Sequence, residues 1–198
     1  MTYIDLTMKL TEQIPVWSGD VVPSFAIHTT IEKEGYQTTR LVLGSHSGTH
    51  IDSPAHLIEG GKSLDQYSAS RFFARCAVLA PEGGGPLPVS MVEEVPPGCD
   101  GILCAGESAC LELDAARRLI SRGVRLFGFA GGSCDEIEST TFPVHRLLMG
   151  CDALIIENLA NLDPLVGRVV DLVALPLFVE GSDGAPARVI ARLSDDLS

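Results

Sequence analysis

The chain has 198 residues, 45% of them hydrophobic, which is enough for one domain with a substantial core and too apolar for a disordered chain. Its 26 acidic residues against 14 basic ones give a net charge of -12. That charge disfavours nucleic acid and anionic membrane as partners, and no Lys/Arg cluster offsets it. No apolar run approaches the roughly 18 residues that span a bilayer, and the opening MTYIDLTMKL has no continuous apolar signal core. A cytoplasmic location is expected.

In chain order, TTRLVLG at 38–44 reads as a strand entering a histidine-rich segment. SLDQYSASRFF at 63–73 suggests a short helix near that segment. CAVLA at 76–80 is a strand candidate, and PEGGGPLP at 81–88 reads as a surface loop. GILCAG at 101–106 is a further strand. LDAARRLISRG at 113–123 is helical, because Leu113, Ala116, Leu119 and Ile120 recur at helical spacing and Gly123 is a good stop. VRLFGFAG at 124–131 follows as a strand, so 101–130 resembles a β-α-β unit. VHRLLMG at 144–150 is a short helix after Pro143. DALIIENL at 152–159, LVALPLFVEG at 172–181 and PARVIARL at 186–193 are late strands. The class is α/β with more strand than helix. No repeat or linker divides the chain, so residues 1–198 form a single domain on this reading.

Six cysteines, at positions 76, 99, 104, 110, 134 and 151, include no C-x-x-C pair. Several lie in apolar strand-like runs, where a reduced cysteine acts as a small hydrophobe, so neither disulfides nor a cysteine zinc site is expected. Cys134 stands apart, in a glycine-rich turn beside Asp135.

The segment HSGTHIDSPAH at 46–56 packs three histidines and an aspartate into eleven residues. A straight strand of that length covers roughly 33 Å, far beyond the reach of ligands that sit about 2 Å from an ion. A straight helix would put His46 and His50 on one side and Asp52 and His56 on nearly the other. A folded-back segment remains. Gly48 permits a tight bend, and Pro54 keeps Ser53 out of helical angles. Imidazole with carboxylate suits Zn²⁺, Mn²⁺ or Fe²⁺ better than Ca²⁺. The alternative is a set of surface or locally hydrogen-bonded histidines.

Two later groups fit the same site. Glu157 ends an apolar run, where a buried carboxylate is expensive without a partner such as a metal. His145 begins a short helix. The plainer readings are a strand end turning into solvent and a histidine bonded locally.

The sequence resembles the metal-dependent cyclase-like hydrolases, the superfamily that includes bacterial kynurenine formamidase and isatin hydrolase. Its signature H-x-G-T-H-x-D-x-P-x-H stands complete as HSGTHIDSPAH. The blocks IDLTMKLTEQIPVWSGD, FPVHRLLMGCDALIIENLANLD and VVDLVALPLFVEGSDGAPARVIARL resemble the family as well, so the likeness runs over nearly the whole chain. It implies a swivelling β/β/α domain, a strand-rich barrel-like core with flanking helices. It implies His46, His50, Asp52, His145 and Glu157 as ligands of one or two ions, Zn²⁺ foremost and Mn²⁺ next, with Asp52 and Glu157 able to bridge. His56 would be the catalytic acid/base. Trp17 would line the substrate pocket. A homodimer or higher homo-oligomer is implied too.

The implied reaction is hydrolysis of a small amide, formamide, lactam or lactone, with metal-activated water attacking a carbonyl. His56 would move the proton. A cyclase or dehydratase on the same site, and a non-catalytic metal- or ligand-binding protein, are the alternatives. Departures from the family pattern bear on substrate. Ser18 replaces the proline that commonly follows the tryptophan. In GFAGGSCD, Gly128, Ser133 and Asp135 match a G-x-D-x-x-S-x-D block, but Ala130 replaces its first aspartate. The region after Glu107 is short. The glycines around 128–132 form no nucleotide loop, and Ser133 lacks the G-x-S-x-G setting of a nucleophile.

Overall fold

The computed structural model describes residues 1–81 and 83–193. Position 82 of the 81–88 loop and residues 194–198 of the expected 1–198 domain lie outside the described residues. The strands and helices follow in chain order. β1 is Thr2–Asp5, β2 Ser24–Thr29, α1 Ile31–Glu34, β3 Thr38–Val42 and β4 His50–Asp52. β5 is Phe73–Leu79, β6 Pro86–Leu87, α2 Val89–Glu93, β7 Gly101–Cys104 and β8 Cys110–Leu111. α3 is Leu113–Ser121, β9 Leu126–Phe129, α4 Pro143–Gly150, β10 Leu154–Glu157, β11 Val169–Pro176 and β12 Gly184–Leu193.

Seven strands close on themselves in the order β12-β11-β5-β7-β9-β10-β4, because β4 pairs with both β10 and β12. β1 extends the same sheet along the far half of β12. The run β5-β7-β9-β10 is parallel and the remaining pairings are antiparallel. Closure leaves these seven strands no free edge to manage. This is the strand-rich, barrel-like core with flanking helices that the resemblance implied.

Alternation along the strands divides two cores. Leu103, Leu126, Leu154, Ile156, Leu172 and Val189 point into the barrel with Ile51. Ile102, Phe127, Phe129 and Ile155 point outward and meet Leu119 of α3 and Val144 and Leu148 of α4. Strands covered on both faces read as continuous apolar runs, which is why GILC, LFGF and LII carry no alternation in sequence. The parallel pair β7 and β9, joined through α3, confirms the β-α-β unit.

Three local expectations need correction. Residues 63–73 form no α-helix. They make two 3-10 turns, Leu64–Gln66 and Ala69–Phe72, the first closed by a capping box from Ser63 to Gln66. The run 172–181 is strand only through Pro176, whereas the strand within 38–44 stands as expected, as β3, paired with β2 in a separate two-stranded sheet. The 81–88 stretch is not wholly loop, since its end forms β6 and pairs with β8. Among the described residues, no helix is long and apolar enough to cross a membrane.

Candidate metal centre

The histidine segment folds back as its geometry required. A turn at 45–49 carries His46, the short strand β4 carries His50 and Asp52, and a 3-10 turn over Pro54–His56 carries His56. Ser53, ahead of Pro54, is extended at φ -113 and ψ 165. Gly48 makes the bend at φ +64, where a side chain would be strained, and a Cβ there, 2.5 Å from Leu10 Cδ2, would also push the leucine aside.

Pairing then sets the face. Residues directly opposite in an antiparallel pair share a side of the sheet. The register Glu157↔His50 and Ile155↔Asp52, with Ile51 and Ile156 turned into the barrel, brings His50, Asp52 and Glu157 together on the outer wall. There α4 delivers His145 across the same patch, at 3.0 Å from Nε2 to Glu157 Oε1. Asn158, next along the chain, takes φ 57, and its amide donates to the Gly48 carbonyl at 3.1 Å. Thr49 Oγ1 donates to the Asn158 carbonyl at 2.6 Å, tying the histidine turn to the end of β10.

Each imidazole is held by one nitrogen and faces a carboxylate with the other. His50 Nδ1–H donates to the Gly48 carbonyl at 2.8 Å. His145 Nδ1–H donates to Asp135 Oδ2 at 2.7 Å, and Asp135 is itself fixed by the backbone N–H groups of Val144 and His145. His46 Nε2–H donates to Asp183 Oδ2 at 2.9 Å. The inner nitrogens then meet oxygens. His46 Nδ1 lies 2.7 Å from Asp52 Oδ1, and His50 Nε2 lies 3.1 Å from Asp52 Oδ1 and 3.5 Å from Glu157 Oε2. His50 Nε2 is fully buried and close to both carboxylates, yet misaligned for a hydrogen bond with either. Lone pairs aimed at anionic oxygens repel unless a cation or protons lie between them. Outer nitrogens pinned by carboxylate or carbonyl, with inner nitrogens converging, is how metal-binding histidines are oriented.

Among the described residues four donor sets could hold an ion: His46 with His50 and Asp52, and Asp52 with His145 and Glu157, share Asp52, and beside them stand His46 with His56 and Asp183, and Cys134 with Asp135 and His145. Nitrogen and oxygen donors of this kind fit a divalent transition metal. Without one, the cluster is electrostatically strained. Burial raises the Glu157 carboxyl and the nearby Asp52 charge raises it further. Burial opposes protonation of His46, but Asp52 and Asp183 outweigh it and push it up to about 9. Burial would raise Asp52 as well, yet His50 and His46 hold it well below the usual range. Cys134 packs its sulfur 3.1 Å from His145 Nδ1, and burial pushes the thiol up to about 12, so it is present as a neutral thiol.

All seven residues singled out from the sequence line one cleft of about 220 Å³: Trp17, His46, His50, Asp52, His56, His145 and Glu157. His56 is a third exposed at the rim, its ring 4.1 Å from that of His46. Trp17 is 43% exposed, and its indole N–H donates to the Gly132 carbonyl at 3.4 Å. Phe142 and Leu57 add apolar wall, and Asp20 and Ser133 add polar groups. Phe142 takes φ 50 ahead of Pro143, a rarely populated conformation for an aromatic residue, and its ring meets His145 edge-on at 5.8 Å. Asp183, Asp135 and Phe142 were not read as site residues from the sequence. The sequence signals were Asp135 beside Cys134 and within the G-x-D-x-x-S-x-D block, and Phe142 and Asp183 within quoted family blocks. Ala130 packs against the barrel interior.

A family described as "Putative cyclase" matches residues 4–95. Kynurenine formamidase of Maricaulis maris (strain MCS10) is 28% identical, covering 95% of this chain and 96% of that protein. The chain is thus similar to this family over its first half and to kynurenine formamidases along nearly its whole length. Kynurenine formamidase of Salinibacter ruber (strain DSM 13855 / M31) is 26% identical over 99% of this chain and 100% of its own length. Among solved structures, isatin hydrolase A from Labrenzia aggregata bound to benzyl benzoate superposes with a TM-score of 0.86, covering 96% of this chain and 93% of that one at 24% identity. That likeness confirms the fold of the family.

Proposed function

We propose that this protein is a metal-dependent hydrolase of a small amide, with an aryl formamide as the leading substrate and lactams or lactones next. The observation that carries the reading is the orphaned, buried His50 Nε2, facing two carboxylates at the floor of an aromatic-walled cleft. His46, His50, Asp52, His145 and Glu157 would hold Zn²⁺, or Mn²⁺ in its place, as one or two ions, and the sharing of Asp52 between two donor sets favours two. A divalent ion bound there lowers the pKa of water to roughly 7 and polarises a carbonyl.

The chain's own residues supply the rest. Trp17 and Phe142 flank the cleft and would orient an aromatic ring. His56, exposed at the rim, takes a proton from the attacking water and returns one to the leaving nitrogen as the C–N bond breaks. The relatives named kynurenine formamidase support an aryl formamide.

The test is formate release from N-formylkynurenine by protein loaded with Zn²⁺ or Mn²⁺ against metal-stripped protein. Metal-dependent release is expected. Absence of turnover by protein shown to hold metal would sink the aryl formamide and move the reading to lactams, lactones or cyclisation.

A homodimer belongs to the same reading. The β2–β3 hairpin leaves Ile27 and Leu41 64% and 61% exposed, and a lone two-stranded hairpin is marginal in water without a covering surface. Light scattering that shows a monomer at working concentration would remove this. A cytoplasmic location accords with six free cysteines.

A further inference from the structure

Asp183 stands in the loop ahead of β12, and both donors of Ser53 fix its backbone. The Ser53 N–H and Oγ–H each donate to the Asp183 carbonyl at 2.9 Å. That anchor leaves the Asp183 carboxylate at the cleft rim, where one oxygen, Oδ2, lies 2.9 Å from His46 Nε2 and 3.2 Å from His56 Nδ1. A carboxylate oxygen only accepts, so both nitrogens must carry the hydrogen. The consequence is stereochemical. With an ion in place of the Nδ1 hydrogen, which otherwise points to Asp52 Oδ1 at 2.7 Å, His46 keeps its one hydrogen on Nε2, and neutral His56 is held with Nε2 bare.

We propose that Asp183 is a positioning residue that fixes the tautomers of His46 and His56 together, so that a single oxygen orients a metal-binding imidazole and the acid/base. The inference rests on the hydrolase reading for the role of His56 and for the ion beside His46, and on geometry for the His56 tautomer. The working atom of His56 is then Nε2, and Asp183 acts through that ring without touching substrate. Orienting partners of this kind are worth about 10–100-fold in metal affinity or activity.

The test uses Zn²⁺-loaded protein and its Asp183→Ala and Asp183→Asn variants. Long-range proton–nitrogen NMR, at a pH above the imidazole pKa, reads the His56 tautomer, with His56→Gln assigning the resonance. The parent should show His56 protonated at Nδ1, and Asp183→Ala should lose that preference. Chelator competition should show Zn²⁺ bound about 10–100-fold more weakly by Asp183→Ala, and kcat should fall over a similar range with KM little changed. Asp183→Asn keeps an acceptor oxygen and should recover most of each effect. Asp183→Leu serves as a second acceptor-free variant if the alanine variant folds poorly. An unchanged His56 tautomer in Asp183→Ala would overturn the proposal, as would unchanged Zn²⁺ affinity. Failure to hydrolyse any aryl amide would count against the hydrolase reading alone, because the tautomer and affinity measurements do not depend on turnover.

Discussion

Replacing Gly184 with alanine should cripple metal binding without touching a ligand. Gly184 pairs with Asp52 at the start of β12. A Cβ there would lie 2.8 Å from His46 Cε1, 3.2 Å from His46 Nδ1 and 3.0 Å from the Ile51 carbonyl oxygen. Ile51 cannot give way readily, since β4 is clamped between β10 and β12. The imidazole must therefore yield. Restoring an ordinary 3.4 Å contact moves its Cε1 by about 0.6 Å, whereas ligand distances tolerate about 0.2 Å. Zn²⁺ affinity should fall by about 10–100-fold. The crowding itself should cost about 1–3 kcal/mol of stability. Competition against a chromophoric chelator reads the first effect, and thermal melting of metal-free protein reads the second. Gly150→Ala is the control: it ends α4 and its new methyl meets nothing within 4 Å. If Gly184→Ala binds Zn²⁺ as tightly as the parent, the close packing of β12 on His46 does not govern the site.

Three further outcomes follow from particular contacts. His56→Ala should abolish turnover while metal content measured by mass spectrometry stays near that of the parent, whereas His50→Ala should lose both; loss of metal from His56→Ala would refute its role as acid/base. Trp17→Ala removes an aromatic wall of the cleft, so KM for an aryl substrate should rise more than kcat falls in steady-state assays, and an unchanged KM would place the ring of the substrate elsewhere. Asp152 accepts from Tyr67 Oη at 2.7 Å and from Lys62 Nζ at 3.0 Å. Burial raises its carboxyl, but these partners outweigh it and hold the group below its ordinary value. A depressed folded-state pKa stabilises above the unfolded pKa of about 3.9 and is lost as pH falls through the folded value. Asp152→Asn should therefore cost at most about 1 kcal/mol of stability at neutral pH, seen as a lower melting temperature, with the difference closing in acid. Asn also tolerates the left-handed φ of 60 at this position, so the comparison isolates the charge. A gap that persists at acid pH would show that the carboxylate charge is not the cause.

The site was legible to the extent that its chemistry is unusual in sequence. Ligand candidates could be named because histidines at 46, 50 and 56 around an aspartate have few structural uses, whereas the acid/base role of His56 and the place of Trp17 came from the family resemblance. Asp135 and Asp183 could not be named, because an aspartate in a glycine-bearing loop is ordinary until its imidazole partners are in place. The strands of the barrel wall were visible as apolar runs, and α3 as a helical period. The turns at 63–73 misled because a capping box and scattered apolar residues look alike in a 3-10 turn and in an α-helix. The pairing of β3 with β2 was hidden because β-propensity identifies a strand and not its partner.

By itself the sequence determined the candidate donors of the 46–56 segment and the bend that gathers them. Those depend on residue type and on short-range backbone limits at Gly48 and Pro54. Tertiary structure decided which nitrogen of each imidazole faces inward, because that choice is made by Gly48, Asp135 and Asp183 from three different parts of the chain. It also decided that Glu157 meets His50. Their meeting is a matter of strand register between β4 and β10, over a separation of more than a hundred residues, and register is set by barrel closure and by burying Ile51 and Ile156 on the opposite face.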